Sequence, residues 1–127
     1  MNIQARQILI IHADDVIKEI LLLCLETIPN CQAIAVDSGI ESIEKAQEVD
    51  AILLDVDEII PDLDWREIVR YLQQNSSTNS IPLILLTTTP QAQELIEFQE
   101  KKAVKAIAKS FNLMTTANRI ADLLNWN

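Results

Sequence analysis

The sequence predicts an α/β domain built as a three-layer, open, doubly wound parallel sheet of five strands. Three observations carry that expectation. Short apolar runs and helix-periodic segments alternate five times along 127 residues. The runs are continuously apolar, the pattern of strands covered on both faces. Alternation of strand and helix requires parallel strands, because each helix returns the chain before the next strand begins. A closed barrel would need eight such units.

The elements follow in order. QILIIH, from about Gln7, reads as the first strand. Ile17, Ile20, Leu21, Cys24 and Ile28 then fall on one helical stripe, stopped by Pro29 and Asn30. CQAIAV from Cys31 is the second strand, and GIESIEKAQ after Ser38 is a short helix. DAILLD from Asp50 is the third strand. Trp65, Ile68, Val69 and Leu72 stripe the next helix, which the polar loop NSSTNS ends. PLILLT from Pro82 is the fourth strand, and Ala92, Leu95, Ile96 and Gln99 mark a weaker helix. VKAIAK from Val104 is the fifth strand, and Ala117, Ile120, Ala121 and Leu124 stripe the last helix. Crossovers in such sheets are right-handed. With no repeat and no linker, residues 1–127 read as one domain.

Composition removes several function classes. The formal net charge is -9 and hydrophobic residues make up 49%. An acidic chain lacks the clustered Lys and Arg of a nucleic-acid footprint. Gly39 is the only glycine, so a glycine-rich phosphate loop is impossible. No apolar run reaches the ~20 residues of a membrane span. The opening MNIQARQ has no apolar export segment, so a cytoplasmic location is expected. Cys24 and Cys31 sit in apolar stretches and read as buried free thiols.

Ligands of open parallel sheets bind at the carboxyl ends of the strands. The residues there are His12, Ala13, Asp14 and Asp15 after the first strand, and Asp55, Val56, Asp57 and Glu58 after the third. Thr87, Thr88 and Thr89 follow the fourth, and Lys109, Ser110 and Phe111 the fifth. Several carboxylates, a hydroxyl and one ammonium at one edge suit Mg²⁺ and a phosphoryl group. Asp55 would emerge from an apolar strand as a nucleophile. Lys109 and Thr87 would pair with phosphoryl oxygens, and a cation would offset repulsion between carboxylate and phosphate. His12, the only histidine, reads as a residue hydrogen-bonded at the pocket mouth.

DAILLD ending at Asp55, IIPDLDW, PLILLT ending at Thr87 and AIAKSF carrying Lys109 resemble a bacterial two-component response-regulator receiver domain, stand-alone and of cyanobacterial style. The resemblance spans Ile8 to about Trp126. It implies a flavodoxin-like receiver fold with strand order 2-1-3-4-5. It also implies phosphoryl transfer from a histidine kinase or phosphotransfer protein onto an Asp after the third strand, with Mg²⁺. Asp55 would be the acceptor, Thr87 the switch hydroxyl and Lys109 the conserved cation, with Asp14, Asp55 and Asp57 as metal ligands.

Four departures qualify it. The acidic pair expected after the first strand reads as His12-Ala13 unless a bulge brings Asp14 and Asp15 into place. Counting from the strand favours Asp55 as acceptor, whereas counting back from Pro61 favours Asp57; the buried ILL run before Asp55 is the reason to prefer it. Ser110 replaces the proline after the lysine, so a trans peptide is expected there. Ala106 stands at the aromatic switch position, and Thr88 replaces a small residue beside Thr87.

Two readings follow: a phospho-accepting receiver signalling by protein contact, or a pseudo-receiver that kept the fold as a phosphorylation-independent interaction module. Neither is an enzyme beyond self-phosphorylation and self-dephosphorylation. A flavodoxin-like cofactor binder fits poorly, because HADDV would repel a phosphate. Leu22, Leu23 and Leu25, with Trp126, are either extra core or a docking face for a kinase or a second subunit. A downstream protein partner, no nucleic acid, no membrane, and a monomer or homodimer complete the expectation.

Overall fold

The continuously apolar runs become the strands of one sheet. In this computed structural model, residues 5–127 are described. The first four residues, part of the segment read as lacking an export signal, lie outside them. The strands are β1 (Arg6–Ile11), β2 (Cys31–Val36), β3 (Ala51–Asp55), β4 (Leu83–Thr87) and β5 (Val104–Ala108). The helices are α1 (Asp15–Leu25), α2 (Gly39–Ala46), α3 (Trp65–Gln74), α4 (Gln93–Phe98) and α5 (Leu113–Leu124). All pairings are parallel, in the order β2-β1-β3-β4-β5. Both the architecture and the strand order match the expectation from sequence.

Burial follows position in the sheet. Every residue of β3 and β4 is buried, because helices cover both faces of these inner strands. The edge strands β2 and β5 keep partly exposed residues. Side chains alternate between faces along each strand. Leu9, Ile11, Ile52, Leu54, Leu83 and Leu85 meet Ile68, Val69 and Leu72 of α3 and Leu95 of α4. Ile8, Ile10, Leu53, Ile84 and Leu86 meet Leu21 and Leu25 of α1 and Ala117, Ile120 and Ala121 of α5. Truncating one of these leucines to alanine removes ~2–5 kcal/mol.

The helix starts are fixed by polar side chains. Asp14 accepts from the backbone N–H groups of Val16 and Ile17. Asp64 and Glu67 form a capping box on α3. The start of α2 is held from a distant loop, where Asp62 accepts from the Ser38 hydroxyl at 2.8 Å and from the N–H groups of Gly39 at 2.7 Å and Ile40 at 3.0 Å. Those bonds lower the Asp62 carboxyl from 3.8 to about 2, led by the Ile40 N–H. Gly39 is needed for this contact, since a Cβ there would lie 2.6 Å from Leu63 Cβ. The loop after β3 is thus docked on α2.

Details on α1 differ from the stripe read in the sequence. Leu25 is core, Leu22 lines the core and Leu23 faces outward. Ile20 lies at the stripe's edge and is largely exposed. Trp126 packs against the α1/α5 core and takes the Arg6 guanidinium over its ring. Cys31 is buried and Cys24 half-buried, both free. No helix among the described residues is long and apolar enough to cross a membrane.

Candidate functional site

Strand register places the chemistry. Ile11 pairs with Leu54, so the next residues, His12 and Asp55, stand side by side. Asp55 pairs with Leu86, Leu86 with Ile107, and Lys109 follows two residues on, on the same face. All three side chains therefore project toward α1 and α5. His12 is 1% exposed and Asp55 2% exposed. Lys109 Nζ lies 2.8 Å from Asp55 Oδ2, and His12 Nε2 lies 3.0 Å from the same oxygen. The other oxygen, Oδ1, accepts the Asp57 N–H at 2.9 Å.

The strand β1 runs into His12 without a bulge, as its N–H continues the ladder to the Val36 carbonyl. His12 and Ala13 therefore occupy the two positions after β1. Asp14 turns its carboxylate to the start of α1, and Asp15 pairs with Lys18 on the surface. Neither carboxylate is brought to Asp55. The imidazole tautomer follows from geometry, because His12 Nδ1 accepts the Asp14 N–H at 3.0 Å. The ring proton must then sit on Nε2, facing Asp55. Nε2 is close to that carboxylate but off the line of a well-directed hydrogen bond, which leaves it without a full partner.

Burial pushes the Asp55 carboxyl up, the largest single effect, but the close contacts of His12 and Lys109 and the nearby positive charge outweigh it. The net direction is below the ordinary carboxylate value, so Asp55 is ionised. For Lys109, burial acts downward and Asp55 and then Asp57 act upward; the net shift is upward. A cavity of about 260 Å³ opens beside this trio, lined also by Leu86, Leu113 and Thr116.

Asp57 sits on the other side of Asp55. Its Oδ1 accepts the Thr87 hydroxyl at 3.0 Å, and its Oδ2 accepts the Thr88 N–H at 2.8 Å. Lys109 Nζ is 3.3 Å from the same Oδ2. Thr87 is 1% exposed, whereas Thr88 is exposed and contributes its backbone. The structure thus brings Asp55, Asp57, Thr87 and Lys109 together. Of the two candidate acceptors, Asp55 is the buried carboxylate at the strand end and Asp57 the loop carboxylate, and Lys109 contacts both.

Sequence reasoning did not single out Glu58. His12, Asp55 and Glu58 each offer a ligand atom, all within 4.8 Å of one another. Two carboxylates and an imidazole fit a divalent cation, and Mg²⁺ is commonly held by one or two carboxylates with water. His12 could join only by releasing its Nε2 proton and the Asp14 bond at Nδ1, so the carboxylates would hold the ion first. Ala106 is half-buried and there is no ring at that position; its N–H donates to Gln99 Oε1. The Lys109–Ser110 peptide is trans, as expected.

No family model matches the chain, and no curated protein sequence matches it. Solved structures do. Against the phosphorylated cyanobacterial phytochrome response regulator RcpA, the TM-score is 0.79 at 18% identity, covering 96% of this chain and 94% of that one. Against the Vibrio cholerae chemotaxis protein CheY4 it is 0.77 at 22% identity, covering 97% and 99%. Against a sensor histidine kinase receiver domain from Pseudomonas aeruginosa with a magnesium ion in its active-site cleft it is 0.75 at 22% identity, covering 96% and 97%. The fold is that of response-regulator receiver domains, along essentially the whole chain.

Proposed function

We propose that the chain is a receiver domain that takes a phosphoryl group onto Asp55 from a phosphohistidine of a kinase or phosphotransfer protein and signals by protein contact in the cytoplasm. One observation carries the reading: an ionised, buried carboxylate at the carboxyl end of β3 held 2.8 Å from Lys109 Nζ, with Thr87 nearby. In the transfer, an Asp55 oxygen forms a bond to phosphorus as the bond to the donor imidazole breaks, its electron pair leaving on the imidazole. Hydrolysis by water returns the carboxylate and inorganic phosphate. Mg²⁺ on Asp55 and Glu58 would supply charge neutralisation as the phosphoryl dianion approaches. Lys109 would hold the transferred oxygens. No turnover of a metabolite is involved.

An apolar ridge flanks the site. Val16, Ile20 and Leu23 are exposed along α1, and Phe111 and Met114 lie at the start of α5. This ridge suits a helical partner with an apolar face. The reading is tested with acetyl phosphate, which transfers its phosphoryl group to a carboxylate and leaves as acetate. Wild-type protein is expected to gain one acid-stable, base-labile phosphoryl group that Asp55→Asn cannot gain. Labelling that persists in Asp55→Asn refutes the site.

A second reading, a phosphorylation-independent pseudo-receiver, is favoured by His12 at the position of an acid. It predicts no heat of Mg²⁺ binding and no label on any variant.

A further inference from the structure

The donors around Asp57 raise a question that the acceptor alone does not. Thr87 Oγ1 accepts the Thr89 N–H at 3.1 Å, so its own proton must point elsewhere. It points at Asp57 Oδ1, since a carboxylate can only accept. The Thr88 N–H and the Lys109 ammonium converge on Asp57 Oδ2. A hydroxyl, a backbone N–H and an ammonium gathered on one anion form an oxyanion cradle. Lys109 bridges the two carboxylates, 2.8 Å from Asp55 and 3.3 Å from Asp57. The turn after β3 closes the arrangement, because the Asp57 N–H donates to Asp55 Oδ1.

We propose that the Asp57 carboxylate is the built-in occupant of this cradle, taking the donors that a phosphoryl group on Asp55 would use. The inference rests on Asp55 as the acceptor. A carboxylate has the charge and the acceptor oxygens to satisfy these donors, and no external anion is needed to draw Thr87 toward the acceptor. The Lys109 ammonium can serve two anions, but the Thr87 hydroxyl and the Thr88 N–H each carry one proton and can serve only one. Phosphorylation of Asp55 must therefore expel Asp57, which retards labelling. Unphosphorylated protein already holds Thr87 and Lys109 in the anion-bound arrangement. Asp57 is thus a positioning residue that sets how far this receiver depends on its donor.

The test compares wild type with Asp57→Ala and Asp57→Asn, each with and without Asp55→Asn. Asp57 lies on a surface loop, and the asparagine keeps its shape while losing its charge. Without metal or donor, exchange of the Thr88 amide proton should rise about tenfold in Asp57→Ala, the effect of one charge-assisted hydrogen bond. Inorganic phosphate should then bind at Thr88 by amide chemical shift. With Mg²⁺ and acetyl phosphate, labelling of Asp55 should speed by about tenfold, with Asp57→Asn in between. Unchanged Thr88 exchange in Asp57→Ala overturns the proposal. If exchange and phosphate binding respond but no protein is labelled, the cradle stands and the acceptor reading falls. If the proteins that keep Asp55 label equally, the Asp55→Asn proteins do not label and exchange is unchanged, the acceptor stands and the role of Asp57 falls.

Discussion

The carboxyl edge of the sheet has two unlike halves. On the side of β3, β4 and β5, Asp55, Asp57, Thr87 and Lys109 form a continuous set of ion pairs and hydrogen bonds. On the side of β1, the first position holds a histidine with its proton toward Asp55, the second holds Ala13, and the next two carboxylates serve α1. The difference teaches how a buried anion is kept in place. A buried carboxylate needs compensation, and here an ammonium and an N–H supply it from inside the chain. The β1 half places a histidine N–H, not a carboxylate, against Asp55, and the compensating cation comes from the opposite half.

Breaking the charged half should have the largest effect. Lys109→Met leaves Asp55 buried without its cation, which is expected to remove about 3 kcal/mol in urea unfolding and to abolish labelling by acetyl phosphate. The loss should shrink in the Asp55→Asn background; an unchanged loss there would mean that Lys109 acts through something other than this pair.

Rebuilding the β1 half sharpens the comparison. His12→Asp adds a second carboxylate beside Asp55 and should lower stability in chelator. Saturating Mg²⁺ should restore about 2–3 kcal/mol to this variant, and less to wild type. Equal Mg²⁺ responses in thermal melts would show that His12 does not limit the ion.

The loop that follows Asp55 and carries Asp57 can be loosened from below. Gly39→Ala drives a Cβ into Leu63 and should cost about 1–3 kcal/mol. Full stability in the alanine variant would mean that the loop shifts freely.

The smallest expected effect is a pH dependence. The folded Asp62 carboxyl titrates at about 2 against an ordinary 3.8. A depressed folded value means the contribution is present above 3.8 and is lost as pH falls toward about 2. Asp62→Asn should therefore narrow its stability gap from wild type across that window. A gap constant down to pH 2 would assign the loss to the side chain's shape instead.

Much of this was legible in the residues. The strands were readable because a buried parallel strand must be apolar throughout; CQAIAV coincides with β2 residue for residue. Asp55 was readable as a strand end, and Lys109 and Thr87 likewise. The contacts that set the site apart were not. The His12–Asp55 contact follows from strand register, which a single sequence leaves open until the pairing is known. Asp57 on Thr87 and Thr88 depends on a loop conformation that no periodicity encodes. The role of Asp62 was not readable, because its partners at the start of α2 lie far away in sequence.

The most direct measurement maps the phosphorylated carboxyl by borohydride reduction after treatment with acetyl phosphate and Mg²⁺, which converts the modified aspartate to its alcohol. Peptide sequencing is expected to place the alcohol at position 55 with position 57 intact. Reduction at Asp57, or at neither aspartate in wild type and Asp57→Ala alike, contradicts the account.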